Sequence, residues 1–540
     1  FMIGDTTTGT IDAANYNTGV GVDVFESLST GDRNTAIGFA SMDANTTGSD
    51  NTAVGNGSLG GNTTASCNVA VGSSALTVNT TGANNTAVGC DALVANTTAS
   101  NNTAVGLSAL AANTTGVENV AVGKSALAAN TTASNNVAVG VEVLDANTTG
   151  TQNTAMGKAS MSANTTGNYN AAFGAYSLQA NTTAEENTAI GYEALNDNTT
   201  GNKNTAVGFR ALDLNTTASE NTAIGGDALG NTTTGGNNVA VGRLALSQNT
   251  TGVSHTAVGH QALDACTTGN NNTAFGKDSL GSLTTGGHNV ACGLNALVAQ
   301  TTSNNCTAMG SGAGFVMTTG DKNTFIGREA GVACTTGSNN TSVGGSAGYD
   351  ATDGSNNVFI GVNTQTDNAG TSSQVVIGPG ARSQGGGHFT VGTSSSNYTH
   401  IDIGTTTWQS SSDERLKKEI VDSPAGLSFI NDLRPVTFKW KTKGEVDETL
   451  PHYEEGSNKP VIGESERNTL TKHGFIAQEV KAVIDNHPEI KDGADIWSEN
   501  RDEIQNFAPT ALIPMLVKSI QELSAKCDSL QNEINTLKGE

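Results

Sequence analysis

The densest chemistry in this 540-residue chain lies between Trp408 and Ile420. There the run Gln-Ser-Ser-Ser-Asp-Glu-Arg-Leu-Lys-Lys-Glu crowds hydroxyls, carboxylates and cations together. Such groups are the parts of acid–base and nucleophilic chemistry. Taken alone, the segment reads as a helix start. Ser411 with Glu414 makes a capping box, and Ser412 or Asp413 could cap equally well.

Other reactive residues point away from chemistry. Of the seven cysteines, Cys67, Cys90, Cys266, Cys292, Cys306 and Cys334 fall mostly at different phases of the repeat described below. Cys266 and Cys334 share a phase but lie four repeats apart, roughly 19 Å at about 4.8 Å per coil, beyond disulfide reach. Free thiols are expected. No CxxC or HExxH occurs, so neither a structural zinc nor any other metal or cofactor is expected. The many Asn-Thr-Thr triplets match glycosylation sequons, but their strict periodicity assigns them to turns and ladders instead.

The elements around these residues are dominated by a repeat. From Asn34 a unit with consensus Asn-(Thr/Val)-Ala-(Val/Ile)-Gly recurs every 17 residues, twenty times, to Asn357, with Gly always fifth. That regularity demands a backbone corner that needs positive φ or has no room for a Cβ. The residue before Gly is always apolar (Ile37, Val54, Phe173, Ile360) and is expected in the core. A second apolar position five residues later (Leu59, Leu76, Leu93, Leu110, Leu297) suggests two short strands meeting at a turn.

No proline precedes Pro379, as expected where backbone N–H groups are consumed in ladders. The unit is too short and too rich in Gly, Asn and Thr for paired helices. Residues 34–361 therefore read as a parallel β-solenoid or β-roll, about 95 Å long at about 4.8 Å per coil. Alternation of Gly and Ala at the last turn position leaves a 34-residue coil open. After Gly310 Ala-Leu becomes Ala-Gly (Gly314, Gly331, Gly348), and the apolar residue moves one place on (Phe315, Val332, Tyr349). This predicts a sub-region of different cross-section. So thin a core favours self-association. The unit resembles the head repeats of trimeric autotransporter adhesins, though longer, and the repeats of marine phage tail-fibre proteins.

The formal charge of −24 is unevenly spread. Residues 1–411 hold 10 Lys/Arg and 26 Asp/Glu, whereas residues 412–540 hold 16 and 24. That shift, with all three tryptophans (Trp408, Trp440, Trp497) at or beyond it, places a domain boundary near 408–412. An acidic chain without a basic patch argues against nucleic acid as a partner. No stretch reads as a signal peptide or a membrane-spanning helix. The start at Phe1 is read as part of a longer protein. The expected domains are a lead-in segment (1–33), the solenoid (34–361), a β-rich exit region (362–407) and a C-terminal domain (408–540).

In that last domain Phe429-Ile-Asn-Asp-Leu-Arg-Pro-Val-Thr-Phe-Lys-Trp440 predicts a helix ending before Pro435, then a strand. His473-Gly-Phe-Ile-Ala-Gln-Glu-Val480 follows. The terminal helix places Ile513, Leu516, Ile520, Leu523, Cys527, Leu530, Ile534 and Leu537 at alternating three- and four-residue steps, a coiled-coil seam within about 509–540.

The Ser-Asp-x-Arg-x-Lys string, the Leu-Arg-Pro-Val segment, the Gly-Phe-Ile-Ala-Gln-Glu-Val string and the terminal seam resemble, in that order, the S74 peptidase family. These are the intramolecular chaperone domains of phage tailspikes and tail fibres. The resemblance implies a Ser412–Lys417 dyad cleaving the Ser411–Ser412 bond, with Asp413, Arg415, Gln478 and Glu479 as positioning residues. A serine hydroxyl needs a base, and a lysine serves only when burial or a nearby cation lowers its pKa. Arg415 and Lys418 are such neighbours in sequence.

The fold expected is mainly β: a trimeric parallel β-solenoid of 17-residue repeats, then a small α+β chaperone domain ending in a coiled-coil helix. The function implied is a phage tail fibre or spike that binds a host receptor, glycan or protein, alongside other tail proteins. It would be made in the host cytoplasm, reside in the virion tail and act outside the cell. A C-terminal domain would drive homotrimerisation through Leu516, Ile520, Leu523, Leu530, Ile534 and Leu537, then cleave itself off. Alternatives are a bacterial surface adhesin, a tailspike glycan hydrolase or an ice-binding solenoid.

Overall fold

The computed structural model describes residues 2–3, 14–402, 409–410, 420–449, 453–459, 471–490, 496–499 and 505–539. The chain divides into two compact units, Phe1–Ser411 and Ser412–Glu540.

The first unit is a parallel β-solenoid with one coil per 17 residues. Among the described residues, twenty-two three-residue strands run from Thr18–Val20 to Val375–Ile377. Each pairs in parallel with the residue 17 positions on, as Thr35 does with Thr52 and Val358 with Val375. Gly/Ala alternation therefore does not mark a double-length coil. The stack starts before the twenty-copy repeat, with Thr18–Val20 and, paired in parallel to it, Met2–Ile3, and it continues one coil beyond the repeat. A shortened coil then brings Phe389 beside Val375, and the antiparallel strands Tyr398–Asp402 and Gln409–Ser410 complete the sheet.

Each strand points only its middle residue inward, because neighbouring side chains alternate across a strand. Ala36, Ala53 and Ala70 are fully buried, whereas Ile37 is 40% exposed and Phe275 53%. The residue before Gly thus lies on the outside, contrary to the expectation that it fills the core. The interior holds the strand Ala and the Ala-Leu pair (Ala75 and Leu76, Ala92 and Leu93), with a second bulky residue such as Leu283 or Met317 in only a few coils.

The Gly corner has two causes at once. Gly55 has φ +144°, and a Cβ there would run into the Gly72 carbonyl of the next coil. Past the corner no second strand forms among the described residues. Instead the leucines sit in the left-handed region (Leu59 φ 51°, Leu76 φ 52°), and the Leu76 amide donates to the Ala92 carbonyl at 3.0 Å.

Two buried asparagine ladders close the coils of the first half of the solenoid. The Asn51 amide donates to Asn34 Oδ1 (3.0 Å), and Asn62 Nδ2 donates to Asn45 Oδ1 (2.9 Å). The Ala65 carbonyl accepts from both Asn51 Nδ2 and Asn62 Nδ2. Thr46 Oγ1 adds a further rung by donating to the Thr63 carbonyl at 2.9 Å. The buried amides are thereby satisfied, as their burial requires. The second ladder stops at Asn215, whose Oδ1 has no partner because Thr232 replaces the next Asn.

After Gly310 the parallel register continues unchanged, Ala308 opposite Phe325 and Phe325 opposite Ser342. The backbone path is therefore kept and the side chains are exchanged. Gly314, Gly331 and Gly348 keep the left-handed φ of the leucines they replace. The lost volume returns on the strand as Phe325 and Phe359, both buried. A Cβ on Gly331 would lie 2.8 Å from Phe325 Cζ. Phe315 and Tyr349 are surface residues.

The second unit contains helix α1 (Leu427–Asp432), a strand pair (Val436–Phe438 with Lys472–Gly474) and helix α2 (Ala477–Asn486). A hairpin (Trp497–Glu499 with Gln505–Phe507), a 3-10 turn (Pro509–Leu512) and helix α3 (Ile513–Lys538) follow. The helix-then-strand reading around Pro435 agrees with α1 and Val436–Phe438. Its small core gathers Phe429, Leu433, Val480, Ile484, Ile496 and Leu512.

Two stability outcomes follow. Gly331→Leu and Phe325→Ala should each destabilise the solenoid, but together they recreate the upstream Leu/Ala pairing. Denaturant unfolding of the double-mutant cycle should give a favourable coupling of about 1–3 kcal/mol; simple additivity would refute the exchange of volume. Thr232→Asn should bridge the gap between Asn215 and Asn249 and stabilise by about 1 kcal/mol, and an unchanged or lowered transition would count against the ladder.

Candidate functional site

The strings singled out in the C-terminal domain are brought together by short-range geometry. Helix α1 starts just after Gly426, where the Glu522 carboxylate of α3 lies against its first turn. The Leu427 amide donates to Glu522 Oε2 at 2.8 Å, and a Cβ on Gly426 would collide with that carboxylate. Helix α1 ends before Pro435, which holds Arg434 in the extended link to Val436–Phe438.

That strand pairs Val436 with Gly474, so the chain leaving Gly474 enters α2 beside Arg434. Glu479, in the first turn of α2, meets the Arg434 guanidinium in a two-pronged contact. Nε donates to Oε2 at 2.9 Å, and Nη2 donates to Oε1. The Arg434 hydrogen bonds, and then its charge, hold the Glu479 carboxyl below its usual range. Leu-Arg-Pro-Val and Gly-Phe-Ile-Ala-Gln-Glu-Val are thus two halves of one clamp. Both halves stood out in the sequence; their pairing did not, because nothing in a linear string says which carboxylate a given arginine reaches.

Gln478 is exposed and lines an open cleft of about 1160 Å³ whose apolar wall includes Pro435, Phe438, Trp440, Phe475 and Phe507. Phe475 and Phe507 meet edge to face, 5.2 Å between centroids. Ser411, Ser412, Asp413, Arg415 and Lys417 lie outside the described residues.

A second polar cluster went unread in the sequence. His487, largely buried after α2, has Nδ1 2.7 Å from Glu489 Oε1 and Nε2 2.9 Å from Asp432 Oδ2. Its ring packs edge-on against buried Phe429, 5.4 Å between centroids. Hydrogen bonds to Glu489 and then Asp432 raise its pKa above the ordinary 6.5. The protonated ring would donate to both carboxylates and tie the end of α1 to the segment after α2.

Helix α3 packs against α1 over its N-terminal part, where Ser519 is buried. Its apolar seam is left uncovered. Leu516, Ile520, Leu523, Leu530, Ile534 and Leu537 are all exposed, from 42% at Leu516 to 87% at Leu537. No helix among the described residues is long and apolar enough to cross a membrane.

The geometry defines a small α+β module with a long, one-sided apolar helix, carried by a chain whose other unit is a β-solenoid. Residues 412–487 match the family model Peptidase_S74, described as chaperone of endosialidase. The matched span runs from the Ser-Asp-Glu-Arg string through the Arg434–Glu479 clamp to His487, and α3 lies beyond it. No curated protein and no solved structure matches the chain.

The sign of the His487 effect is determined by its raised pKa. Its contribution to the second unit is complete below pH 6.5 and is lost as pH rises through the higher folded pKa. Unfolding of the second unit followed from pH 5.5 to 8.5 should show stability falling over that window. His487→Gln should flatten the profile; a variant with the same slope would remove His487 as the cause.

Proposed function

We propose that the chain is a homotrimeric phage tail fibre or spike, with the solenoid as its shaft or receptor-binding body and residues 412–540 as a self-cleaving assembly chaperone. The observation that carries this reading is the match of residues 412–487 to the chaperone family, directly after a solenoid. The uncovered seam of α3 supports the trimer, because exposed a/d residues over this length gain stability only against other helices. The host receptor, glycan or protein, and the remaining tail proteins are its partners, and the virion tail its location.

The cleavage is an intramolecular acyl shift. Lys417 takes the proton from Ser412 Oγ, and the oxygen attacks the Ser411 carbonyl carbon. The C–N bond breaks as Lys417 passes that proton to the Ser412 nitrogen, which leaves as an amine, and an ester links the two residues. Water then hydrolyses the ester, giving a Ser411 carboxylate and a new chain starting at Ser412. Support comes from the place of this bond, which is the boundary between the two compact units. Cutting there separates rod from chaperone without severing either.

Denaturing mass spectrometry of wild type beside Ser412→Ala tests the reading, with native mass spectrometry for the assembly state. Wild type should yield a fragment beginning at Ser412, while the variant stays intact yet trimeric. If wild type stays intact as well, the dyad is withdrawn. A monomeric variant would remove the chaperone role.

A further inference from the structure

The outward face of the solenoid sheet carries a pattern of its own, a row rich in Thr and Val beside a row that is apolar throughout. In all twenty-two strands from Thr18–Val20 to Val375–Ile377 the two outward positions are occupied by Thr, Val, Ala, Ile, Met, Phe or Cys. None is charged. The rod's charges sit elsewhere on the coil, as with Lys158 and Arg210 past the Gly corner and Asp50 and Glu118 before the strand. A solvent-facing sheet normally alternates apolar-in with polar-out. Here the outer face is β-branched or apolar from end to end, and its larger members stay exposed: Ile37, Met156, Phe173, Phe275 and Met309.

We propose that this stripe is the contact face through which copies of the chain pack against one another, parallel and in register. The proposal rests on the fibre reading above and names the surface that it uses. Three observations select another copy as the occupant. First, the stripe repeats at every coil, so a partner must offer apolar groups at the same spacing of about 4.8 Å over roughly 100 Å. A second solenoid of this sequence does so, whereas a receptor would need only a local patch.

Second, a strip of that length and about 10 Å width offers about 1000 Å² per copy, above the roughly 800 Å² per partner of a stable interface. Third, a chain of formal charge −24 repels its copies, and this face brings them together without opposing carboxylates.

Native cysteines report on both surfaces. Cys292 stands in the stripe, at the outward position of strand Val290–Cys292, and is exposed. Cys527 stands in the α3 seam and is exposed as well. Cys266, Cys306 and Cys334 are buried, with thiols pushed up to about 11, and stay silent. The experiment uses the full chain with Ser412→Ala, so that both surfaces remain on one polypeptide. Of the exposed cysteines Cys67, Cys90, Cys292 and Cys527, one is retained at a time and the others become Ser. A Thr200→Cys variant without exposed native cysteines serves as control on a different, exposed turn of the coil.

Each protein is treated with a short bismaleimide and run on a denaturing gel. Cys292 and Cys527 should each link most chains into multimers, and Thr200→Cys should leave them single. If Cys527 links and Cys292 does no better than Thr200→Cys, the stripe is not the contact face, while the fibre reading stands. If Cys292 links and Cys527 does not, the stripe proposal holds and the helix seam is lost. If neither links, both readings fall.

Discussion

Everything in the solenoid depends on how closely one coil approaches the next at the glycine corner. The Gly72 carbonyl occupies the space a Cβ on Gly55 would need, and the same is true from Gly21 to Gly361. That approach keeps the strands at ladder distance and turns the chain through a φ that only glycine adopts without strain. Its consequences run round the coil. A sharp corner leaves three-residue strands, short strands leave room for one inward side chain each, and the interior is reduced to Ala and Leu. The leucines then occupy a left-handed conformation that costs about 1–2 kcal/mol each, held by an amide bond to the next coil (Leu76 to the Ala92 carbonyl) and a carbonyl bond within the coil (from the Asn79 amide). With so little apolar volume, the buried Asn ladders become part of the core rather than an exception to it.

The same constraint explains what can vary. Because the backbone path is fixed by the corner, composition changes only by exchange at fixed positions. Gly314, Gly331 and Gly348 give up Leu volume that Phe325 and Phe359 restore from the facing strand. The asparagine position accepts Thr232, Cys266, Leu283 or Met317 in later coils, each buried, at the loss of ladder continuity. The exchange of Leu and Ala for Gly and Phe preserves the interior volume, as close packing requires.

Much of this was legible in the residues. The period, the glycine corner and the ladder-forming Asn and Thr followed from spacing alone, as did the helix–strand change at Pro435. The facing of the strand did not. In Asn-Thr-Ala-Val-Gly, alternation permits either Ala or its neighbours inward, and hydrophobicity favours Val. The deciding fact is the width of the coil, which in most coils is filled by Leu opposite Ala, and width is a property of the closed structure. Likewise the break after Gly310 looked like a new cross-section because the Leu vanished, while its replacement, Phe325, sat eleven residues away from Gly314. At the candidate site, Gln478 and Glu479 were visible as a string, but Arg434 as the partner of Glu479 emerges only when Val436 pairs with Gly474. His487 gave no signal, since its carboxylates come from positions 432 and 489.

The division of labour between the two units follows from the repeat itself. On the proposed assembly, neighbouring solenoids meet through a stripe whose successive coils are nearly interchangeable. Sliding one copy by a full coil swaps each contact for another of the same kind and forfeits only the overhanging end, so the stripe specifies which face is buried but hardly the height. Registry errors are the expected hazard of long, non-local β pairing. A segment outside the repeat must therefore set the height, and α3 has the properties required. Its seam is short, its Ile, Leu and Cys residues do not repeat the solenoid's period, and a shift by one heptad would uncover a large part of it. Once the rods are locked along their length, that registering device has no further contact to supply. Its removal at the boundary between the units would leave the shaft held by the number of its coils.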